Sequence, residues 1–359
     1  MITVVYPYRD RDLRRIENSL ESLVSQTNTD FTVLFIDYGS KLEMAKQVEI
    51  LVSKYDFATY YYAYNVYQPW NKSKALNFAL NLAKTPYFFV ADIDMIFHPE
   101  FINTSFNLIK TFSNVYFKVG FLSKEESIKQ KKFEDYKIKF ESTNEATGIS
   151  LFNTNDLRSL NGFDENYHFW GAEDTDVHVR LKHAKKDIHF YSDQVLMLHQ
   201  WHVNYVNSEQ KALTAKLHIK GIVQRNHDYL KQVRVSGKIK ANDHEIGKVI
   251  DKTAFNKIIE YDKPIIISNK KTEFDNWFYN VLCSNELKIN IHVVFKEAPF
   301  FKSKKYTLKK MLGKNIPEYI TLKTINDNVL SYVVSNLHTY NYVYKISDDL
   351  KSIMLKILV

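Results

Sequence analysis

Three Asp-x-Asp pairs stand in the chain, Asp10/Asp12, Asp92/Asp94 and Asp174/Asp176, and paired carboxylates at this spacing could hold a divalent cation. Among 41 acidic residues the bare pattern says little, so the surroundings must choose. Only Asp92-Ile93-Asp94 directly follows a continuous apolar run, Tyr87 to Ala91, of the kind that makes a buried parallel strand. The period of two along a strand would set both carboxylates on one side at its carboxyl end, where they repel unless a cation lies between them. Hard oxygen ligands suit Mg²⁺ or Mn²⁺, and such an ion can bridge the phosphates of a nucleotide diphosphate. The other uses of such a pair are a solvated loop or a helix N-cap.

A second acidic group, Glu173-Asp174-Thr175-Asp176, follows Trp170-Gly171-Ala172 and precedes a helical pattern from Val177. Acids at a helix start favour the macrodipole, and that reading suits Asp176. It does not account for Trp170-Gly171. An indole beside a glycine makes a flat apolar platform for a sugar ring, with the carboxylates reaching its hydroxyls. Further on, the strand-like run Leu196 to His202 carries His199 and His202. Imidazole joins carboxylates around Mn²⁺, so either could complete a metal sphere, and the spacing alone does not choose between them.

The elements that must position these residues alternate in the first half of the chain. Strands are predicted at Ile2–Tyr6, Phe31–Ile36, Tyr60–Ala63 and Tyr87–Ala91, and helices at Leu13–Ser25, Met44–Lys54 and Lys74–Ala83. This is the sign of a βαβ domain with a mainly parallel sheet, whose ligands lie beyond the carboxyl ends of the strands. The lysine-rich stretch Lys124–Glu145 reads as a mobile connection over the site. From about Val206 to Lys248 a polar helix leads into a charged connection. Beyond it, strands at Pro264–Ser268, Lys288–Phe295 and Tyr342–Ile346 and helices at Phe274–Leu282 and Tyr306–Met311 describe a smaller α/β domain.

With 359 residues the chain exceeds one typical domain, and its 45% hydrophobic and 25% charged content is that of a globular protein. The net charge of +8 admits nucleic acid, an anionic membrane surface or an acidic substrate. No RNP, zinc-finger or helix-turn-helix signature occurs and the lysines are dispersed, so nucleic acid is not expected. Cys283 is the sole cysteine, which precludes an intrachain disulfide and favours the cytoplasm. The N-terminal run is too short for a signal peptide, and no apolar stretch is long enough to span a membrane, so any membrane contact is expected to be peripheral.

Taken in order, these segments resemble the β-1,4-galactosyltransferase family and bacterial family-2, chondroitin-polymerase-like, polysaccharide glycosyltransferases, all of GT-A fold. Pro7-Tyr-Arg-Asp-Arg11 is similar to the family's Pro-Phe-Arg-Asn-Arg loop, and Trp70 to Asn77 to its Phe-Asn-Arg-Ala-Lys-Leu-Leu-Asn segment. Asp92-Ile-Asp94 resembles the metal motif Asp-Val-Asp. Thr147 to Ser150, Asn161-Gly-Phe163 and Tyr167 to Asp176 follow Gly-Gly-Val-Ser, Asn-Gly-Phe and Tyr-Trp-Gly-Trp-Gly-Gly-Glu-Asp-Asp-Asp, and Leu196 to His199 follows Met-Ile-Arg-His. The resemblance covers roughly residues 1–205.

It implies a GT-A domain over residues 1–225 and leaves 245–359 as an accessory α/β domain without a recognised counterpart. Pro7, Tyr8, Arg9, Arg11, Asp37, Lys74 and Asp92 would hold the nucleotide, and Asp92, Asp94 and His199 the Mn²⁺ or Mg²⁺. Asp174 would be the catalytic base with Glu173 beside it, and Trp170, Gly171 and Asp176 would meet the acceptor. The implied activity is inverting transfer of a hexose of the galactose, N-acetylgalactosamine or N-acetylglucosamine class. It would pass from a UDP-sugar to a saccharide hydroxyl, in surface polysaccharide or lipo-oligosaccharide synthesis. Thr175 replaces an acid and Ala172 a glycine of the family pattern, and Glu145 lies near the position that tunes the donor sugar, so donor and acceptor identities do not carry over. Two other classes compete: a sugar nucleotidyltransferase, whose glycine-rich phosphate loop is missing, and a non-catalytic carbohydrate-binding protein, which would need no metal pair.

Overall fold

The computed structural model describes residues 1–203, 212–284 and 289–359. The expected helix start at Val206 and strand start at Lys288 lie outside them. The chain divides into two compact units, Met1–Val66 with Trp70–Asn207 and Val223–Val249, and Tyr67–Pro69 with Ser208–Ile222 and Ile250–Val359.

The first unit opens with β1 (Ile2–Tyr8), α1 (Leu13–Val24), β2 (Phe31–Asp37), α2 (Leu42–Val52), β3 (Ala58–Tyr62), α3 (Lys72–Leu82) and β4 (Tyr87–Val90). It continues through β5 (Met95–Phe97), α4 (Phe101–Leu108), β6 (Val115–Phe117), β7 (Gly120–Leu122), β8 (Ile138–Glu141), β9 (Ser150–Asn153), α5 (Thr154–Ser159), α6 (Glu173–His183), β10 (His189–Tyr191), β11 (Met197–His199) and α7 (Ile222–Ser236). Seven strands form the main sheet in the order β10-β6-β9-β4-β1-β2-β3. Strands β1 to β4 run parallel, and β9 crosses antiparallel between β4 and β6.

Alternation along the strands explains the two cores. Val4 and Tyr6 of β1 join Phe35, Phe89 and the α1 residues Ile16 and Leu20 on one face. Val5 joins Leu34, Ile36, Phe88 and the α3 residues Ala75 and Leu76 on the other. A strand buried on both faces is a nearly continuous apolar run, and β1 is buried throughout, its Thr3 hydroxyl satisfied by Thr85 Oγ1 at 2.7 Å. Its polar ends are therefore pushed to the edge of the sheet, where the motif residues collect.

A smaller sheet, β5-β11-β7-β8, is attached at that edge. The stretch Lys124–Glu145, expected to be a connection, contains a 3₁₀ turn at Phe133–Asp135 and the exposed edge strand β8 paired with β7. The boundary expected at residue 225 falls inside α7, and residues up to Val249 pack with the first unit.

The second unit contains α8 (Lys252–Glu260), β12 (Ile265–Ser268), α9 (Lys271–Trp277), β13 (Ile291–Lys296), α10 (Lys304–Met311), α11 (Leu322–Asn336), β14 (Asn341–Ile346) and β15 (Ser352–Leu358). Its sheet runs β12-β13-β15-β14, and α11 buries Ile325, Val329, Leu330 and Val333. The helix expected over Phe274–Leu282 starts at Lys271 and ends as a π-helical turn over Phe278–Leu282. No helix among the described residues is long and apolar enough to cross a membrane.

Candidate active site

The three Asp-x-Asp pairs separate cleanly in the structure. Asp12 caps α1 by accepting from Arg15 N at 3.2 Å, and Asp10 Oδ1 accepts from Lys41 N at 2.9 Å, so the first pair only shapes a turn. Asp176 is buried and accepts from Arg180 Nε at 2.6 Å and from the Tyr167 hydroxyl at 3.1 Å. Arg180, itself buried, also donates to Asp164 at 2.7 Å, and Tyr229 of α7 donates to the same carboxylate at 2.8 Å. Asp176, expected to meet the acceptor, therefore belongs to an internal ion network, because its position within α6 turns it toward the core. Burial pushes its carboxyl up to about 6 against the pull of Arg180.

Asp92 and Asp94 lie together just beyond β4, a strand of the main sheet. The strand-period argument does not place them, because β4 ends at Val90 and a turn follows, closed by Met95 N donating to Asp92 O at 3.1 Å. The two carboxylates face different partners. Asp92 accepts from Lys72 Nζ at 2.8 Å, and although burial raises its pKa, the lysine carries it below the usual carboxylate range. Asp94 faces His199 and His202, with Oδ1 3.7 Å from His199 Nε2 and Oδ2 3.3 Å from His202 Nε2. The histidines arrive through β11, which pairs antiparallel with β5 so that His199 lies opposite Met95. The Phe121 ring stacks on the His199 imidazole, and Gln200 N donates to Asp94 O at 2.9 Å.

These three side chains fit a divalent cation. Each offers one ligand atom and all three atoms lie within 4.8 Å of one another, while opposite ligands of a cation bound at about 2.1 to 2.6 Å stand about 4 to 5 Å apart. Asp94 Oδ1 is buried and accepts no hydrogen bond among the described residues. His202 Nδ1 lies 3.0 Å from the Val203 carbonyl. With the proton on that nitrogen, Nε2 turns a lone pair toward a carboxylate, an arrangement that calls for a cation between them.

The acidic turn lies beside this cluster. Phe169, Gly171 and Ala172 all have positive φ, at 66°, 102° and 74°, and Ala172 in this conformation leads straight into α6. The turn is braced by Phe169 N donating to Trp70 O at 2.9 Å and by Asn226 Nδ2 of α7 donating to His168 O and Trp170 O, both at 3.0 Å. It holds Trp170 41% exposed, as a sugar platform requires. Glu173 and Asp174 occupy the first turn of α6, and together with Lys72, Thr147 and Gly148 they line a small pocket. Burial and the adjacent Asp174 push Glu173 up to about 7, against the opposing charge of Lys72. A Cβ on Gly148 would stand 3.1 Å from Asp174 Oδ2, so the glycine admits the carboxylate to this pocket.

The residues expected to hold a nucleotide lie, Lys74 apart, at the ends of β1 and β2 and after β4, and Tyr8 pairs with Asp37. Pro7 and Tyr8 are buried, and Tyr8 packs on Phe35, so they form the floor. Arg9 donates to Tyr38 O and Asn65 O, both at 2.6 Å, with its guanidinium 5.1 Å from the centre of the Tyr38 ring. Asp37 accepts from Ser40 N and the Tyr60 hydroxyl, and burial pushes it up to about 6. Arg11 is exposed, its backbone tied to the Tyr8 hydroxyl. Lys74 is not at this edge. It is buried 3.9 Å from Glu165, with its pKa lowered by burial, in a polar hub where Asn77, Phe163, Glu165 and Asn242 join. The lysine at the edge is Lys72, which sequence reasoning missed. Asn71 caps α3 and sets its phase, and two residues turn a helix by about 200°, so Lys72 and Lys74 must face opposite ways.

Residues 3–161 match the family described as Glycosyl transferase family 2, and residues 129–202 match the N-terminal domain of galactosyltransferase. The two matches overlap and together run from residue 3 to residue 202, within the first unit, whose fold is mixed α/β around a mainly parallel sheet. The chain is similar to the solved structure of S. aureus TarS 1-349 at 14% identity, over 99% of this chain and 96% of that one, with a TM-score of 0.47. Against a longer S. aureus TarS the values are 18% identity, 56% of this chain and 36% of that one, with a TM-score of 0.43. GalNAc-T7 with UDP, GalNAc and Mn²⁺ is similar at 12% identity over 65% of this chain and 48% of its own, with a TM-score of 0.48. The chain thus spans less than half of either of the last two. No curated protein matches it in sequence.

Proposed function

We propose that the protein is an inverting, metal-dependent glycosyltransferase that moves a hexose from a UDP-sugar to a saccharide hydroxyl in surface polysaccharide or lipo-oligosaccharide synthesis. The observation that carries the reading is the buried, unpartnered Asp94 oxygen facing two imidazoles at the carboxyl edge of a parallel sheet, beside the Lys72–Asp92 pair and the Glu173–Asp174 turn. Asp94, His199 and His202 would hold Mn²⁺ or Mg²⁺, which when bound neutralises charge on a departing diphosphate. Asp37, Arg9 and the floor of Pro7 and Tyr8 suit a uridine, with Asp92 toward the ribose. Trp170 offers the acceptor sugar an apolar face. As the acceptor oxygen bonds to the anomeric carbon, its proton passes to the Asp174 carboxylate, and the sugar–phosphate bond breaks with UDP keeping the electron pair. Glu173, which holds a proton more readily, is suited to donate a hydrogen bond to a sugar hydroxyl rather than to act as the base.

The test is incubation with a panel of UDP-sugars with and without Mn²⁺. Slow, metal-dependent release of UDP is expected. Pyrophosphate release would make the protein a nucleotidyltransferase, and absence of any product would make it a sugar binder. Product stereochemistry is a second check, since direct attack must invert the anomeric centre.

A further inference from the structure

The second unit carries a surface that the catalytic reading does not use. Residues 298–317 contain six lysines, Lys302, Lys304, Lys305, Lys309, Lys310 and Lys314, and no acidic residue. In their midst, α10 buries no residue at all. Leu308 is 58% exposed, Met311 80% and Leu312 60%. These three occupy spacings i, i+3 and i+4, which makes one apolar stripe on the outer side of the helix. The opposite side is anchored, because Tyr306 packs edge-on against Phe300, Phe301 and Tyr319. Ser303 caps the helix by accepting from Tyr306 N at 3.1 Å. The exposed stripe is thus held outward by a structured base.

We propose that α10 docks this protein on the surface of an anionic lipid bilayer, with Leu308, Met311 and Leu312 entering the headgroup layer and the flanking lysines meeting lipid phosphates. Charge selects an anionic partner: Lys304, Lys305, Lys310 and Lys314 are exposed and make no ion pair among the described residues, whereas Lys302 is paired with Glu297 at 2.7 Å. The apolar stripe selects a bilayer among anionic partners, since a soluble polyanion has nothing to cover three apolar side chains, and a second copy would bring the same lysines against these. A nucleic acid would use exposed aromatic rings for stacking, but Phe300, Phe301 and Tyr306 pack on one another. A helix of this length lies in the interface rather than across the membrane. The inference is independent of the transferase chemistry.

Sedimentation of the full chain with vesicles tests it. The protein is expected to pellet with vesicles of phosphatidylcholine and phosphatidylglycerol, and to stay in solution with phosphatidylcholine alone. The Leu308→Ser/Met311→Ser variant is expected to bind the anionic vesicles at least about tenfold more weakly. Lys304→Gln/Lys305→Gln/Lys310→Gln is expected to bind about a hundredfold more weakly. All five side chains are exposed, so the unfolding midpoint of each variant should equal the parent's, and donor hydrolysis should persist in both. The proposal is overturned if the parent stays in solution with anionic vesicles. It is equally overturned if the serine variant binds like the parent, which would mark a site for soluble polyanions, or if that variant converts a parent oligomer to monomer in light scattering, which would mark a self-association face.

Discussion

His178 sits on α6, one turn past Asp174, and should make the fold acid-sensitive in a way that can be isolated. The ring is 4% exposed, its Nε2 is 2.9 Å from Ser150 Oγ, and it lies edge-on to Tyr116 and Phe152 at 5.0 Å and 5.6 Å between centroids. Burial lowers its pKa from 6.5 to about 3, with Lys182 adding to the effect. The folded protein therefore keeps the ring neutral while the unfolded chain takes up a proton below pH 6.5. Stability from this group is whole above that pH and is lost as the pH falls toward about 3. At about pH 5 the unfolded state gains about 2 kcal/mol by protonation that the folded state forgoes. Acidic groups such as Glu173 and Asp176, whose folded pKa values are raised, work in the opposite direction over the same range, so the parent's own pH profile is a sum. Comparison with His178→Gln removes the common part. Urea unfolding of both proteins, followed by tryptophan fluorescence at about pH 7 and about pH 5, should show the parent losing about 2 kcal/mol more than the variant between the two. Equal losses in the two proteins would refute the argument.

Other substitutions separate binding, chemistry and folding. Asp94→Asn should abolish Mn²⁺-dependent UDP binding in calorimetry without lowering the unfolding midpoint, and His199→Ala and His202→Ala should each weaken the metal by about tenfold or more. Parent-like binding in either histidine variant would remove that imidazole from the ligand set. Asp174→Asn should bind UDP-sugar normally yet turn over about 10² to 10⁴ times more slowly, with Glu173→Gln milder; the reverse ranking would make Glu173 the base. Asp176→Ala should act on stability instead. By taking one of two carboxylates from the buried Arg180 it should cost about 3 kcal/mol in urea unfolding, with turnover per folded molecule largely kept.

How much was legible in the sequence follows from which signals are local. Three of the four parallel strands were readable because a strand buried on both faces is a nearly continuous apolar run, as Ile2 to Tyr8, Phe31 to Asp37 and Tyr87 to Val90 show, whereas the edge strand β3 was readable from its run of tyrosines. Strands β6, β9 and β10 were not, since runs of three or four residues carry no period, and their pairing is decided by distant partners such as Leu151 with Phe89. The metal cluster was half readable. Asp94 announced itself at a strand end, but the choice between His199 and His202 needed the β5–β11 pairing, and both histidines prove to face the carboxylate. Lys74 was named where Lys72 stands because likeness of a segment does not report helix phase, though the Asn71 cap would have supplied it. Asp176 misled for a different reason: a carboxylate in an acidic cluster looks exposed until its buried arginine, four residues on, is recognised.

The polar hub at Glu165 ties the first unit to the order in which its chain is made. Glu165 Oε1 accepts from Asn77 Nδ2 and from Gly247 N, and Oε2 faces His244. A Cβ on Gly247 would come within 2.5 Å of Phe78 N, so only glycine lets the late segment reach the earlier helix. Asn77 is synthesised long before Glu165 needs it, but Gly247 follows Glu165 by 82 residues, which at ribosomal speeds is a delay of about 4 to 16 s. Through that interval the carboxylate and its loop have half their partners. The last strand of the main sheet, β10, is made within this interval, so for its later part the sheet is complete while Glu165 still lacks Gly247. A message cut near codon 225 would fix the chain in that state permanently, with Asp92, Asp94, Glu173, Asp174, His199 and His202 all present and Glu165 still lacking Gly247.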